Sequence, residues 1–301
     1  MSSTMLQMVQ QVTAELNLAV PTYVAGNPSQ DVQQVLALMN GTGYDLIKEY
    51  DWQALQVQYR FYTQAINCNA TTVNGSTTMV VESGVDITAV DKQWQVTGNN
   101  INQDTNVVSV AGQTVTISQQ ASGTGTGAIV LAQTAYDLPA DFQNITNRTA
   151  WDKTKRWEAL GPEDAQQWQW LKSGYISTGP RIRWRILDNQ FQIWPPMNTQ
   201  EYLGWEYRSK GFAKGADGVI KNSFTQDSDT SILDDRIIVL GTKVKYWAIK
   251  GFDTTALIQE YQRYLSVAKA IDKGAANLSF APYPAKVLIG YANIPDTGYG
   301  T

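Results

Sequence analysis

The sequence predicts an α+β protein: a helical bundle joined to an antiparallel β-hairpin and sheet unit, with an inserted small all-β domain of Ig-like sandwich type and an extended C-terminal tail. Three observations point there. Apolar residues recur at helical spacing near both ends of the chain, at Leu6, Val9, Val12 and Leu16 and again at Leu257, Tyr261, Tyr264, Leu265, Ala268 and Ile271. From about Val73 to Tyr136 a sparsely charged stretch rich in Gly, Thr, Val and Asn alternates short β-branched runs with turn residues, the pattern of strands joined by tight turns. Past Gly274, the prolines 282, 284 and 295 rule out a helix in a segment too apolar for a solvated tail, which suits docking on a partner. The expected units are a first core part over 1–65, the inserted β domain over 66–137, a second core part over 138–277 and the tail over 278–301.

Taken in order, a short amphipathic helix covers 4–17. A second starts at Asn27-Pro28-Ser29-Gln30, with Asn27 as N-cap and Pro28 at the first helical position, and runs its apolar face through Val32, Val35, Leu36, Met39, Leu46, Ile47 and Tyr50. Gly41 and Gly43 each weaken that helix by about 1 kcal/mol relative to Ala, so a break or a close helix contact is expected there. Leu55 to Tyr62 alternates as a strand and feeds the β domain. After Leu138-Pro139-Ala140-Asp141-Phe142, residues 151–160 read as extended, and Gly161-Pro162-Glu163-Asp164 opens a short helix carrying Trp168, Trp170 and Leu171. Residues 180–187 and 190–195 form a hairpin turning at Asp188-Asn189. Tyr202 to Arg208 is expected to complete a three-stranded antiparallel unit with it. Ser231-Ile232-Leu233-Asp234 reads as a capping box before a helix on Ile237, Leu240, Val244 and Trp247, and Asp253 caps a second helix that turns back near Gly251.

Composition narrows the chemistry. The chain has 301 residues, a net charge of −4, a pI near 5.0, one cysteine and no histidine. Without histidine there is no Ser-His-Asp triad and no imidazole metal ligand, and a single cysteine rules out an internal disulfide or a cysteine-built metal site. The mild acidity argues against a chain whose main work is gripping phosphates. Met1 to Gln11 lacks the basic and apolar regions of a secretory signal, and no run approaches the roughly 18 apolar residues of a membrane span. A protein assembled in a cytoplasm, away from membranes, is therefore expected.

Four constellations merit a functional reading. Asp152, Glu158, Glu163 and Asp164 lie near several of the 10 tryptophans and resemble a glycosidase pair beside sugar-stacking rings. The structural reading, in which Glu163 and Asp164 face a helix dipole and the rings fill a core, is favoured. Arg181, Arg183 and Arg185 alternate with Ile182 and Trp184, putting a basic row on one strand face; it would contact a neighbouring subunit or DNA phosphates, or simply be solvated. Asp227, Asp229, Asp234 and Asp235 have loose calcium-ligand spacing but lack the glycine-bearing loop, which favours caps. Gly123 to Gly127 precedes no helix and reads as a turn, not a phosphate loop. Cys68 reads as a small loop or core residue.

With these residues placed, the chain resembles the head-to-tail adaptors of tailed bacteriophages, the tail tubular protein A-like connectors of short-tailed phages. The parallels are the opening from Asn27-Pro28-Ser29 to Glu49-Tyr50-Asp51-Trp52, the Leu138 to Phe142 junction, the Trp/Arg hairpin to Trp205, and the closing helix pair with its proline-rich tail. Val96-Thr97-Gly98 to Leu131 is similar to a β-module common in phage structural proteins, with a Thr-Ile-Ser and then a Gly-Thr-Gly-Thr-Gly ending. That module is a departure, since slimmer adaptors lack it. The resemblance implies a homo-oligomeric, dodecameric ring below the portal protein, with DNA passing through it and a nozzle protein beneath. It implies residence in the virion neck, and no catalytic residue, cofactor or metal. Phe280, Pro282, Tyr283, Pro284, Val287, Leu288, Ile289 and Tyr291 are expected to dock on the portal. Arg181, Arg183 and Arg185 are expected at a subunit interface or the lumen, and the β domain outside, toward fibres. The competing expectation is a tail-associated carbohydrate-binding or cell-wall-degrading protein.

Overall fold

The computed structural model describes residues 3–92, 94–173 and 182–273. Helices α1 (Met5–Glu15) and α2 (Gln30–Glu49) come first, then β1 (Gln56–Tyr62), β2 (Ala65–Thr72), β3 (Thr78–Val81), β4 (Gln95–Gly98), β5 (Thr105–Ala111), β6 (Thr114–Ile117) and β7 (Gly125–Ala132). After these come β8 (Ala135–Asp137), β9 (Phe142–Ile145), β10 (Trp151–Asp152), β11 (Trp157–Glu158), α3 (Ala165–Lys172), β12 (Arg183–Leu187), β13 (Gln190–Trp194) and β14 (Tyr202–Ser209). The chain continues through β15 (Ala213–Lys214), β16 (Ile220–Lys221), β17 (Thr230–Ser231), α4 (Asp235–Lys250) and α5 (Thr255–Lys273). The α+β class is thus as expected. The expected tail, 278–301, lies outside the described residues. No helix among the described residues is long and apolar enough to cross a membrane.

Helices α1, α2, α4 and α5 share one core, built from Met5, Met8, Val9, Val35, Met39, Leu46, Ile237, Ile238 and Leu265. The start of α1 is closed by a reciprocal capping box between Thr4 and Gln7. Two caps differ from expectation. The side chain of Asn27 accepts the Ser29 N–H at 2.9 Å in a local turn, so the helix begins at Gln30 with Ser29 as N-cap. Asp234, not Ser231, caps α4, because its carboxylate accepts the N–H groups of both Arg236 and Ile237 while Ser231 is held in β17. Gly41 and Gly43 do not break α2. A Cβ at Gly43 would overlap the ring of the buried Phe212, and one at Gly241 would meet Thr42 at 2.5 Å, so two glycines permit close approach where α2 meets the sheet side and α4.

The inserted strands pair in the closed order β2-β3-β6-β5-β4-β7, every pair antiparallel. The pairing runs without interruption around the ring, in place of the two separate sheets of the expected Ig-like sandwich. A register shift between Val107 and Ser109 lets β5 pair with β4 at one end and β6 at the other, and this bend closes the ring. Inside sit Met79, Val81, Trp94, Val96, Val115, Ile129 and Leu131, the inward residues of alternating strands. The expected turn over Gly123 to Gly127 holds only for its first two residues: Gly125, Thr126 and Gly127 already pair with β2 as the start of β7, and Gly123 and Gly127 stand against Asn100 and Asn99.

Two sheets form the remaining core. One carries β1-β14-β10-β11 with β9 also on β14; the other is β12-β13-β8. The hairpin turns at Asp188 and Asn189, both with positive φ, as two-residue turns of this kind require. The expected trio of the hairpin plus Tyr202 to Arg208 does not form. The N–H-lacking Pro195 and Pro196 end β13, and β14 instead pairs with β1 in the facing sheet. Its contact with the hairpin is face to face: Phe191 stacks on Trp184 at 5.3 Å and on Trp205 at 5.5 Å between ring centroids. Two stability outcomes follow, both read by denaturant unfolding. Trp205→Ala should cost about 3–5 kcal/mol by emptying this core, and Gly43→Ala about 1–3 kcal/mol by overpacking Phe212, despite the better helix former.

Candidate interaction surfaces

The four carboxylates near the tryptophans do not converge. Asp152 accepts the Thr154 and Lys155 N–H groups at 2.9 and 3.0 Å in a turn. Glu158 pairs with Arg148 at 3.4 Å, Glu163 with Arg183 at 2.5 Å, and Asp164 caps α3 through the Gln167 N–H. Most of the rings are occupied as well: Trp168, Trp184, Trp194 and Trp205 are buried and Trp151 is half-buried, with Trp157 and Trp170 at 40% and 44% exposure. Buried rings cannot stack on a sugar.

The aspartates of the calcium-like spacing serve four separate structural ends. Asp227 accepts the Val24 and Ala25 N–H groups, Asp234 caps α4, and Asp235 accepts the Ser3 N–H. Asp229 is fully buried and receives Lys221 Nζ at 2.8 Å with the Thr225 and Gln226 N–H groups. Burial alone would raise its pKa, but the Lys221 bond and the two backbone donors outweigh that and hold it below the usual carboxylate range. No group of metal-ligating side chains is found among the described residues. Cys68 is buried and its thiol pKa is pushed up by that burial, then by Glu82, which leaves it a poor nucleophile.

Of the arginine row, Arg183 and Arg185 lie half-buried on β12 opposite the buried Trp184, so the in-out alternation holds. Arg183 is engaged by Glu163, whereas Arg181 lies outside the described residues. Phe280, Pro282, Tyr283, Pro284, Val287, Leu288, Ile289 and Tyr291 also lie outside them. No family model and no curated protein matches the chain.

What the fold does offer is contact surface. The α4–α5 hairpin keeps Ile249, Phe252, Tyr264, Val267 and Ile271 exposed, Phe252 at 60% and Ile271 at 75%. On α5, Tyr264, Val267 and Ile271 follow the i, i+3, i+7 stripe beside the face that buries Leu265. A second feature is a cleft of about 500 Å³ between α2 and β9, lined by Tyr44, Ile47, Lys48, Phe142, Gln143, Lys210 and Asn222. Sequence reasoning missed both. The cleft joins segments about a hundred and sixty residues apart along the chain, which no local pattern reports. For Phe252 a signal existed: a large apolar residue directly after a helix-ending glycine packs back onto the last helical turn, here on Trp247, and so stays at the hairpin tip.

Asp229 yields a pH test. A carboxylate with a depressed folded pKa contributes stability above its unfolded pKa and loses it as pH falls through the folded value. Thermal melts should therefore show an acid-side loss below about pH 4 that is smaller in Asp229→Asn. Asp229→Ala should cost about 3–5 kcal/mol at neutral pH by stranding Lys221, and chelator or added calcium should not move the melting temperature.

Proposed function

We propose that this chain is a structural head-to-tail adaptor of a tailed-phage virion, forming a dodecameric ring that joins the portal to the tail nozzle and lets DNA pass. It makes and breaks no covalent bond. The observation that best supports the reading is the α4–α5 hairpin, a rigid helix pair that keeps an apolar surface exposed while the acidic groups are spent on caps and ion pairs. The α5 stripe of Tyr264, Val267 and Ile271, exposed at i, i+3 and i+7, is surface of the kind that marks contact with other macromolecules. In this reading copies associate side by side through the helical unit. Residues 278–301 then dock on the portal, through Phe280, Pro282, Tyr283, Pro284, Val287, Leu288, Ile289 and Tyr291. An apolar, proline-bearing extension that gains order only on binding suits addition of one ring to a preassembled one. The inserted β domain, a closed barrel whose sequence is similar to a β-module common in phage structural proteins, projects outward toward fibres in this reading, since an insertion in the wall would obstruct closure. Arg183 and Arg185, with Arg181, face a neighbouring subunit or the lumen. The protein is assembled in the host cytoplasm and resides in the virion neck.

Mass measurement of the protein alone and mixed with portal particles tests this directly. The expected result is a discrete multimeric ring on the portal. Deletion of 278–301 should abolish portal attachment while the melting transition persists; a truncated chain that still decorates portals would remove the tail's role. Turnover of cell-wall glycan, lost on Glu163→Gln or Asp152→Asn, would replace the adaptor by a hydrolase.

A further inference from the structure

The cleft is apolar with a cationic rim, and the hairpin tip carries an exposed ring and an exposed acid, while the neighbouring Lys250 is turned onto the Tyr246 ring at 5.1 Å. The cleft presents Tyr44, Ile47 and Phe142 as an apolar lining, with the exposed lysines Lys48 and Lys210 at its sides. Neither lysine has an ion-pair partner among the described residues. Asp141, whose carbonyl receives the Lys210 N–H, turns its own carboxylate to the Tyr207 hydroxyl at 2.8 Å. The tip presents one exposed aromatic ring, Phe252, followed by one exposed acid, Asp253.

The tip is also held in place. Gly251 ends α4 in the left-handed region at φ 76, the Phe252 N–H donates to Trp247 O at 3.0 Å, and the Phe252 ring meets the Trp247 ring edge-on at 5.8 Å. Asp253 accepts from the N–H and hydroxyl of Thr255 at 2.9 and 2.6 Å, which fixes its carboxylate at the start of α5. A knob so constrained loses little freedom on binding.

The two features face apart. Thr42, Asp45 and Glu49 occupy the side of α2 that meets Gly241, Lys245 and Lys269 of α4 and α5. Tyr44, Ile47 and Lys48 lie on the opposite side of the same helix, as 100° per residue requires. A copy therefore cannot fill its own cleft with its own tip, and two patches that differ and face apart generate a head-to-tail, heterologous contact that closes into a ring when the rotation permits.

We propose that Phe252 of one copy enters the cleft between α2 and β9 of the next copy, with Asp253 set against Lys48 and Lys210. This rests on the ring-forming reading and names the contact that builds the ring. Zero-length carbodiimide coupling of a mixture of ¹⁴N- and ¹⁵N-labelled protein, followed by mass spectrometry, should find Asp253 joined to Lys48 or Lys210 across differently labelled copies. In sedimentation at millimolar protein, Phe252→Ser and the pair Lys48→Glu with Lys210→Glu should each weaken self-association by at least about tenfold. Adding Asp253→Lys to the lysine pair should recover part of the loss, an outcome that misfolding cannot produce. If wild type assembles and Phe252→Ser assembles equally well, the knob contact is wrong and the ring reading stands. If wild type stays monomeric at millimolar concentration and attaches to portals singly, both fall.

Discussion

The stack of Trp184, Phe191 and Trp205 is the contact on which the rest of the architecture depends. It fixes the two sheets face to face, and so decides which side of every strand in them is inside. Through Phe61 and Tyr136, whose rings lie 4.6 Å apart, the same core holds the end of β1 beside β8. The Tyr136 hydroxyl then receives the Gln64 N–H and donates to Gln133 O, tying together the two chain segments that enter and leave the barrel. Burial of that hydroxyl, partly offset by its bond to Gln64, raises its pKa, so it stays a neutral donor at any physiological pH. The β2–β7 pairing starts one step farther out, at Ala65 opposite Ala132. An insertion of this size is tolerated because its ends are already adjacent, and little loop-closure entropy remains to be overcome.

How much was legible in the sequence follows from how local each signal is. The helices came through because their apolar periodicity is repeated over three turns or more, and the Asp188-Asn189 hairpin because two adjacent residues suited to positive φ sit between alternating strands. The caps were misplaced by two or three residues, since Asn27 and Ser231 have the right side chains but spend them or their backbones on neighbouring structure. The assignment of Tyr202 to Arg208 to the hairpin failed for another reason. Alternation says that one face of a strand is buried, and it cannot distinguish a neighbour in the same sheet from one in the facing sheet. Closure of the barrel was hidden likewise, because it rests on one register shift in β5. The cleft joins Tyr44, Phe142 and Lys210, which only the fold brings together.

The acidic residues show why a site cannot be inferred from proximity to aromatics along the chain. Asp152 and Asp164 each close a turn or helix start, and Glu158 and Glu163 each neutralise an arginine. Glu201 is buried to 2% exposure, where desolvation would raise its pKa. Hydrogen bonds from Thr199 and from Lys155 at 2.9 Å outweigh that and keep it low. Its N–H meanwhile donates to Thr63 and its carbonyl accepts from the Thr63 N–H, knitting β14 to the root of the barrel. A carboxylate held low in this way, as Glu201 is, suits a structural role better than that of a general acid, which needs a proton near neutral pH.

The helical unit is built to present a surface at a fixed angle. Ion pairs cross between helices at Glu15–Lys243, Asp45–Lys245, Glu49–Lys269 and Arg236–Glu260. Pairs at this degree of exposure contribute about 0–1 kcal/mol each, too little to decide the packing. The apolar core and the close approach at Gly241 and Thr42 supply that energy, while the charges select among the registers the core would accept. Tyr261, which lies against Gly241, has its hydroxyl pKa pushed up to about 12 by burial and then by Glu49 and Asp45, so it adds no charge to this seam. The α4–α5 hairpin therefore emerges from the bundle with its direction set along its length. A surface already ordered in this way spares any partner that binds it the entropy of ordering it, and the proposed ring would draw on that at every contact.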